Sequence, residues 1–398
     1  MRQLVKNHQL EFINAGWSMH DEACTHFDDM MNNMMIGHEF LLKEFDYKPT
    51  IGWHIDPFGH SNANPRLFAD MGFDTFIFGR LDYEDRDQRL ADKNMQFVWK
   101  PFSESLGDSA EIFTHILQDM YWFPPDMGYD ERDFPNNSQP IIDDETLETF
   151  NADLKAERML SYAMHMSTHY RSNNLFMPWG EDFAYGNAFT DFSNGDALIN
   201  YWQKKIANDV GISMRYSTVY DYINAVKAEN ITWPTKYDDM FPYADWEDQY
   251  WSGYFTSRAN SKSQVRFGQQ NLNASNKAFS DLVIDQETTN DDVAKAVNAR
   301  YTMLDSMSSY QHHDAITGTA KQAVADDYSH LLSKSMDTSN VVFEKYVADY
   351  TAAFSPMVGE EWKACTVNNS TWVDCPVAND TDTFAVSFFN PSIAAVDI

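Results

Sequence analysis

Thr50–Phe78 reads TIGWHIDPFGHSNANPRLFADMGFDTFIF, and this stretch decides the fold. Thr50–Ile55 is a run of strand formers. It leads into Pro57-Phe58-Gly59-His60-Ser61, which has turn chemistry. Asn64 then stands as an N-cap, with Pro65 at the first helical position and Gly72 just past the end. Thr75–Phe78 is a second strand. Strand, helix, strand at this spacing is a βαβ unit, whose strands run parallel with a right-handed crossover.

Working outward, the alternation recurs. Leu175–Pro178 reads as strand, Asp196–Asn208 as helix, Ile212–Tyr216 as strand and Thr218–Glu229 as helix. Toward the N-terminus, Leu10–Ile13 reads as a short strand and Asp21–Phe45 as a long helix. The fold class expected is therefore α/β, a parallel sheet flanked by helices. Tyr83–Asp144 is rich in Asp, Pro, Gly and aromatics with little periodicity and is expected to form long loops. After Trp233-Pro234 the texture turns helical, at Asn276–Leu282, Asp291–Tyr310, Lys321–Ser333 and Ser339–Ala353, which suggests a helical bundle. Phe384–Asn390 alternates as a strand, and a single strand is not stable alone, so it reads as the opening of a β-domain. The domains expected are 1–235 (α/β), 236–355 (helical bundle) and 356–398 (linker and first strand of a β-domain).

The chain has 398 residues, 43% of them hydrophobic and 15% aromatic, enough for a large core and unlike a disordered protein. Its net charge of -31 repels phosphate backbones and anionic lipid, so nucleic acid and membranes are excluded as partners. No stretch is apolar enough to span a bilayer. Cys365 and Cys375 bracket a short polar segment and can close one small loop, which leaves Cys24 as a buried free thiol. N-glycosylation sequons stand at Asn136, Asn230, Asn273, Asn368, Asn369 and Asn379, and those beside the two cysteines suggest a glycosylated loop in an oxidising lumen.

Three stretches hold residues suited to chemistry. His54 and Asp56 are two apart at the end of a strand, so they point to one face at the edge where open α/β sheets bind ligands. Imidazole and carboxylate are common zinc ligands, although Asp56 can equally cap the turn and His54 can pack in the core. His312 and His313 stand side by side; on a helix they diverge by about 100°, so only one should enter a given site. Glu181 and Asp182 lie beside Trp179 and Gly180, where an apolar surround would raise a carboxyl pKa as a general acid needs, although a solvated loop fits too.

Six longer stretches carry a resemblance. They are GWSMHDEA at Gly16–Ala23, HIDPFGHS at His54–Ser61, MGFDTFIFGRLDY at Met71–Tyr83, KYDDMFPYADWEDQYWSGYFTSR at Lys236–Arg258, QHHDAITGTAKQAVADDY at Gln311–Tyr328 and CTVNNSTWVDC at Cys365–Cys375. Together they resemble the lysosomal type of α-mannosidase, in glycoside hydrolase family 38, over essentially the whole chain. The resemblance implies a zinc-dependent retaining glycosidase that releases α-linked mannose from mannose-containing oligosaccharides. It implies Asp56 as nucleophile and zinc ligand, His313 as zinc ligand and Asp182 as acid/base. It places Arg80 beside the nucleophile, Phe58 and Tyr121 along the pocket, Trp251 against the sugar and Asp314 on sugar hydroxyls. An ionised Asp56 would be favoured by zinc and Arg80, while a protonated Asp182 should sit away from them. A lysosomal or other acidic lumen is implied, with room for a homo-oligomer.

The family also supplies two zinc ligands from an upstream His-x-Asp motif, which does not occur before Leu10. The resemblance therefore predicts an N-terminally truncated catalytic domain without the later β-domains, and a weak or inactive enzyme as it stands. The alternatives are a non-catalytic mannose-binding protein and a zinc deacetylase, in which Asp182 would have no role.

Overall fold

The computed structural model describes residues 1–129, 139–284, 288–352, 361–369, 372–380, 383–388 and 390. The chain divides into two compact units. Unit 1 is residues 1–15 and 41–252; unit 2 is residues 16–40 and 253–398.

In unit 1 the βαβ reading holds. Strand β1 (Ile51–His54) pairs in parallel with β2 (Thr75–Phe78), in the register Ile51 to Thr75 through His54 to Phe78. The crossover helix, Ala63–Asp70, starts slightly earlier than its sequence signals. Asn62 is the N-cap, and Asn64 instead takes a bond from its own N–H to Ser61 Oγ at 3.2 Å. Gly72 sits at φ +90, which only glycine adopts without strain and which ends the helix. The helix lies close on β1 because residue 52 is glycine: a Cβ there would meet the Phe68 ring at 2.5 Å. Phe68, Phe76, Phe78 and Trp99 fill this face with tilted and edge-on ring contacts. On the other face Ile51 and Ile77 meet Tyr222, Ile223 and Val226 from the helix Val219–Ala228. Thr218 caps that helix, its hydroxyl accepting from Asp221 N at 3.2 Å.

Much of Tyr83–Asp144, expected as loops, is ordered. Tyr83–Asp92 is a helix capped by Asp82, and β3 (Gln96–Trp99), β4 (Ile112–Ile116) and β5 (Gln118–Tyr121) follow. With β6 (Thr235–Lys236), β3 and β4 extend the sheet to the order β1-β2-β4-β3-β6, of which β5 is not a strand. The sheet is mostly parallel but not wholly so, since β3 runs antiparallel to β4. Leu10–Ile13, Leu175–Pro178 and Ile212–Tyr216 are extended or irregular rather than strands. Their apolar side chains still reach the core: Phe176 lies edge-on to His115 and stacks on Tyr222, and Met177, Ile212 and Met214 pack around Trp202 and Leu198. The helix expected at Asp196–Asn208 spans Ala188–Lys205, and Ala152–Ser167 is a helix the periodicity did not signal.

Unit 2 is a bundle of the helices Ala259–Ile284, Asn290–Tyr310 and Gln322–Ala352. The two helices expected at 321–333 and 339–353 are one continuous helix. Ser335 and Ser339, which look like a polar break, are buried and bonded to Ser306 and Ser275 Oγ at 2.6 and 2.7 Å. The helix expected from Asp21 begins at Phe27. Cys365 and Cys375 are disulfide-bonded, and Cys24 is free and buried. Residues 383–388, where a strand was expected, are not strand, and Pro391–Ile398 lie outside the described residues. The Asn136 sequon lies outside them as well. No helix among the described residues is long and apolar enough to cross a membrane.

Candidate active site

Parallel register builds the first cluster. His54 pairs with Phe78 at the carboxyl ends of β1 and β2, so residues two positions further on, Asp56 and Arg80, leave the sheet side by side. The two segments approach closely because residue 79 is glycine; a Cβ would lie 2.4 Å from Ile55 O. Arg80 Nε donates to Asp56 Oδ1 at 2.6 Å and to the Asp56 carbonyl at 3.0 Å, and Arg80 Nη2 makes a further close ion pair with the same carboxylate oxygen. The side chains are 16% and 21% exposed, so the pair is shielded but open to solvent.

Three rings surround the guanidinium. Its carbon lies 4.9 Å from the centroid of Trp251, 5.4 Å from Phe58 and 5.7 Å from Tyr243, distances at which a ring face attracts a cation. Arg80 Nη1 also donates to Tyr243 Oη at 3.3 Å. Burial works against the charge on Arg80, but Asp56 and Tyr243 outweigh it and raise its pKa. Burial raises the Tyr243 phenol too, with Arg80 opposing. The cage is fastened from below. Trp251 Nε1 donates to Asp245 Oδ1 at 3.0 Å, and Trp251 N donates to the Tyr243 carbonyl at 2.8 Å. His60 and Met240 exchange backbone bonds, and His60 Nε2 lies 3.0 Å from the Arg80 carbonyl. Gly59, at φ +107, lets the Phe241 ring come to 2.5 Å from where its Cβ would be.

Strand β1 ends at His54, so the alternation that would put His54 and Asp56 on one face does not reach Asp56. His54 is fully buried, edge-on to Phe68 and Phe76 and 3.5 Å from Asn64 Nδ2, which fits the core reading of that histidine. Tyr121 is 7% exposed, at the end of β5, in the core cluster with Ile51 and Ile77. Asp182 lies exposed on a turn, next to Phe183, which is 80% exposed at φ +62. The apolar surround expected for Asp182 is absent among the described residues around this turn. Sequence reasoning gave no role to Tyr243 or Asp245; both lie in the quoted Lys236–Arg258 stretch, but no periodicity reveals that they brace a cation.

Unit 2 holds the second cluster. The helix Asn290–Tyr310 ends before the two histidines, so the divergence expected on a helix does not apply. His312, His313 and Asp314 lie in turns, with the His rings 4.3 Å apart, and each offers a ligand atom within 4.8 Å of the others. The Gly16–His20 stretch holds this turn. Trp17 Nε1 donates to Asp305 at 2.7 Å, Ser18 Oγ to the Ser308 carbonyl at 2.7 Å, and His20 bridges His312. His313, 6% exposed, places Nδ1 2.9 Å from the Met19 carbonyl. A proton on Nδ1 leaves Nε2 as the acceptor, the form a metal ligand needs, and a carbonyl on the other ring nitrogen is the usual partner of a ligating histidine. The residues thus fit a divalent metal. Asp314 accepts from Thr319 Oγ1 at 2.7 Å.

A carboxylate and a guanidinium at the carboxyl edge of a mostly parallel sheet, walled by aromatic rings, define an α/β protein with a polar, ring-lined cluster at the edge where such sheets bind ligands. The chain belongs to glycosyl hydrolase family 38: residues 1–246 match its N-terminal domain, and residues 249–349 match the alpha mannosidase middle domain. It is 38% identical over 397 residues to a lysosomal alpha-mannosidase of Dictyostelium discoideum, an alignment covering 95% of this chain and 38% of that protein. Lysosomal alpha-mannosidases of Cavia porcellus and Homo sapiens are 35% and 34% identical, over 100% and 98% of this chain. The chain spans 38% of the length of each of these relatives. Among solved structures, an alpha-mannosidase of Enterococcus faecalis V583 has the same fold. Its TM-score is 0.63 at 15% identity, over 88% of this chain and 35% of that one.

Proposed function

We propose that this chain forms part of a zinc-assisted, retaining α-mannosidase acting on mannose-containing glycans in a lysosomal or similar acidic lumen. The observation that carries the reading is the Asp56–Arg80 pair in its ring-lined recess, in a chain whose relatives bear the name alpha-mannosidase.

In this reading Asp56 is the nucleophile. Arg80 holds the carboxylate by one oxygen and its own carbonyl, which fixes the side chain before substrate arrives. Asp56 attacks the anomeric carbon and a glycosyl–aspartate ester forms. The glycosidic C–O bond breaks as the Asp182 carboxyl gives its proton to the leaving oxygen. Asp182, now a carboxylate, takes a proton from water, and that water displaces Asp56 with a second inversion, giving net retention. Trp251 and Phe58 offer apolar faces to the sugar ring, Tyr121 lines the pocket and Asp314 accepts hydroxyl hydrogen bonds. Asp56 and His313 are the zinc ligands in this proposal, and bound zinc supplies Lewis acidity toward sugar hydroxyls. The exposure of Asp182 favours a second reading, a mannose-binding protein without turnover, because an exposed carboxyl lacks the surround that keeps an acid catalyst protonated.

The test is hydrolysis of a nitrophenyl α-mannoside by a protein carrying this chain, with the product anomer read by NMR. The expected result is α-mannose released first, and activity lost in Asp56→Asn by about 10⁴-fold or more. Unchanged hydrolysis in Asp56→Asn, or β-mannose as the first product, overturns the proposal; mannose binding with no turnover selects the second reading.

A further inference from the structure

We propose that His165 and His169 form a second divalent-metal site in unit 1, built from neither Asp56 nor His313. The helix Ala152–Ser167 carries His165 in its last turn, and His169 follows the Thr168 C-cap. Four residues apart, the two rings meet over the helix end, with centroids 4.7 Å apart and planes at 85°. Their Nε2 atoms are 3.4 Å apart. Two zinc–imidazole bonds of about 2.05 Å at the tetrahedral angle set their nitrogens about 3.3 Å apart. The separation is thus that of a chelate, and it is long for a hydrogen bond between nitrogens.

The tautomer is set as a ligand requires. His169 Nδ1 lies 3.1 Å from the Leu90 carbonyl, so the proton belongs on Nδ1 and the Nε2 lone pair faces His165. Leu90 is in the helix Tyr83–Asp92, whose end is pinned to the same region by Lys93 Nζ, 3.5 Å from the Ser167 carbonyl. A bound ion would therefore fasten the end of one helix to another. His165 is exposed and His169 half-buried, which gives an ion access and leaves water for its remaining positions. On binding, His165 takes the tautomer with its proton on Nδ1, so that both Nε2 lone pairs face the ion and the neutral pair releases no net proton. Imidazole pairs suit Zn²⁺ and Cu²⁺ over Mg²⁺ and Ca²⁺.

The experiment is a Zn²⁺ titration of the chelator-treated chain against a colorimetric chelator, for wild type, His165→Ala, His169→Ala and His313→Ala. One equivalent should weaken by about tenfold or more in each of the first two variants and persist in His313→Ala. Zn²⁺ should raise the melting temperature of wild type more than that of His165→Ala. Alanine is a favourable residue at this exposed helical position, so the metal-free His165→Ala should melt as wild type does, which separates a lost ligand from a lost fold. Cu²⁺ bound to wild type should show two-nitrogen hyperfine structure in EPR, reduced in His165→Ala. Equal stoichiometry and affinity in wild type and both His165→Ala and His169→Ala would overturn the site.

Discussion

Unit 1 and unit 2 each hold an aspartate near an arginine, and the two are treated in opposite ways. Asp56 has Arg80 Nε at 2.6 Å, with three rings enclosing the guanidinium. Asp29 is 1% exposed, neither of its oxygens has a hydrogen bond, and Arg266 Nη1 lies 3.9 Å away. Arg266 is turned elsewhere: its Nη2 donates to the Cys24 carbonyl, and its side chain is 43% exposed. Burial pushes the Asp29 carboxyl up to about 7; Arg266 opposes this and Asp28 adds to it. Contact and enclosure decide between the two outcomes more than the mere presence of a cation does. Asp56 has a donor aimed at its carboxylate, whereas Asp29 sits where the neutral acid is the better occupant.

The largest effect should come from removing the cation of the first pair. Arg80→Met keeps bulk between the rings but leaves Asp56 without its donor. In an active protein carrying this chain, kcat/KM on a nitrophenyl mannoside should fall by about 10²–10³-fold, the cost of one charge-directed donor. Arg80→Lys should recover only part of this, because an ammonium cannot contact both the carboxylate and the Asp56 carbonyl as the planar fork does. Equal activity in all three proteins would break the contrast with Asp29.

The second effect is on stability and has a definite sign. With a folded-state pKa near 7 against an ordinary value of 3.8, Asp29 favours the folded state fully below about pH 4. That contribution is lost as pH rises through about 7. Asp29→Asn removes the titration and should stabilise the chain by about 2–3 kcal/mol at pH 7.5, with little change at pH 4. Urea denaturation at the two pH values measures this. An Asn variant less stable at pH 7.5 would mean that Asp29 is ionised and paired with Arg266 in solution. A chain that gains stability on acidification suits the acidic lumen proposed for it.

How much of this was legible depends on how each segment is buried. The βαβ unit could be read because turn residues and Gly72 punctuate it. The helix Tyr83–Asp92 could not, because YEDRDQRLAD buries none of its side chains and so shows no apolar face. β4 is buried at every position, Thr114 and His115 included, so IFTHI shows no alternation of apolar and polar residues to mark it as a strand. The pattern gives two helices, 321–333 and 339–353, where Gln322–Ala352 is one, and within it Ser335 and Ser339 are each paired with a serine on a neighbouring helix. At the site, Asp56 was legible from its place after a strand, and Arg80 only from the family resemblance; the register that sets them side by side belongs to the structure. The side-by-side placement of His312 and His313 was not legible, since their spacing was judged on a helix that ends at Tyr310.

The smallest effect sharpens the first half of the comparison by asking what the cage itself contributes. Tyr243 touches Arg80 in two ways, by its ring face at 5.7 Å and by its hydroxyl at 3.3 Å. Tyr243→Phe removes only the second. Arg80 keeps Asp56, Trp251 and Phe58, so the guanidinium stays in place and loses one long, neutral acceptor worth about 0.5–1 kcal/mol. The expected result is a fall of about 2–5-fold in kcat with KM nearly unchanged, because a loosened Arg80 aligns Asp56 less well without altering the ring faces offered to sugar. A double variant with Arg80→Met should then show no further loss from Tyr243→Phe, since the hydroxyl would have nothing left to hold. If Tyr243→Phe still costs activity in that background, the phenol acts on the ligand directly, and the cage around Arg80 is a lining of the pocket rather than a brace for Asp56.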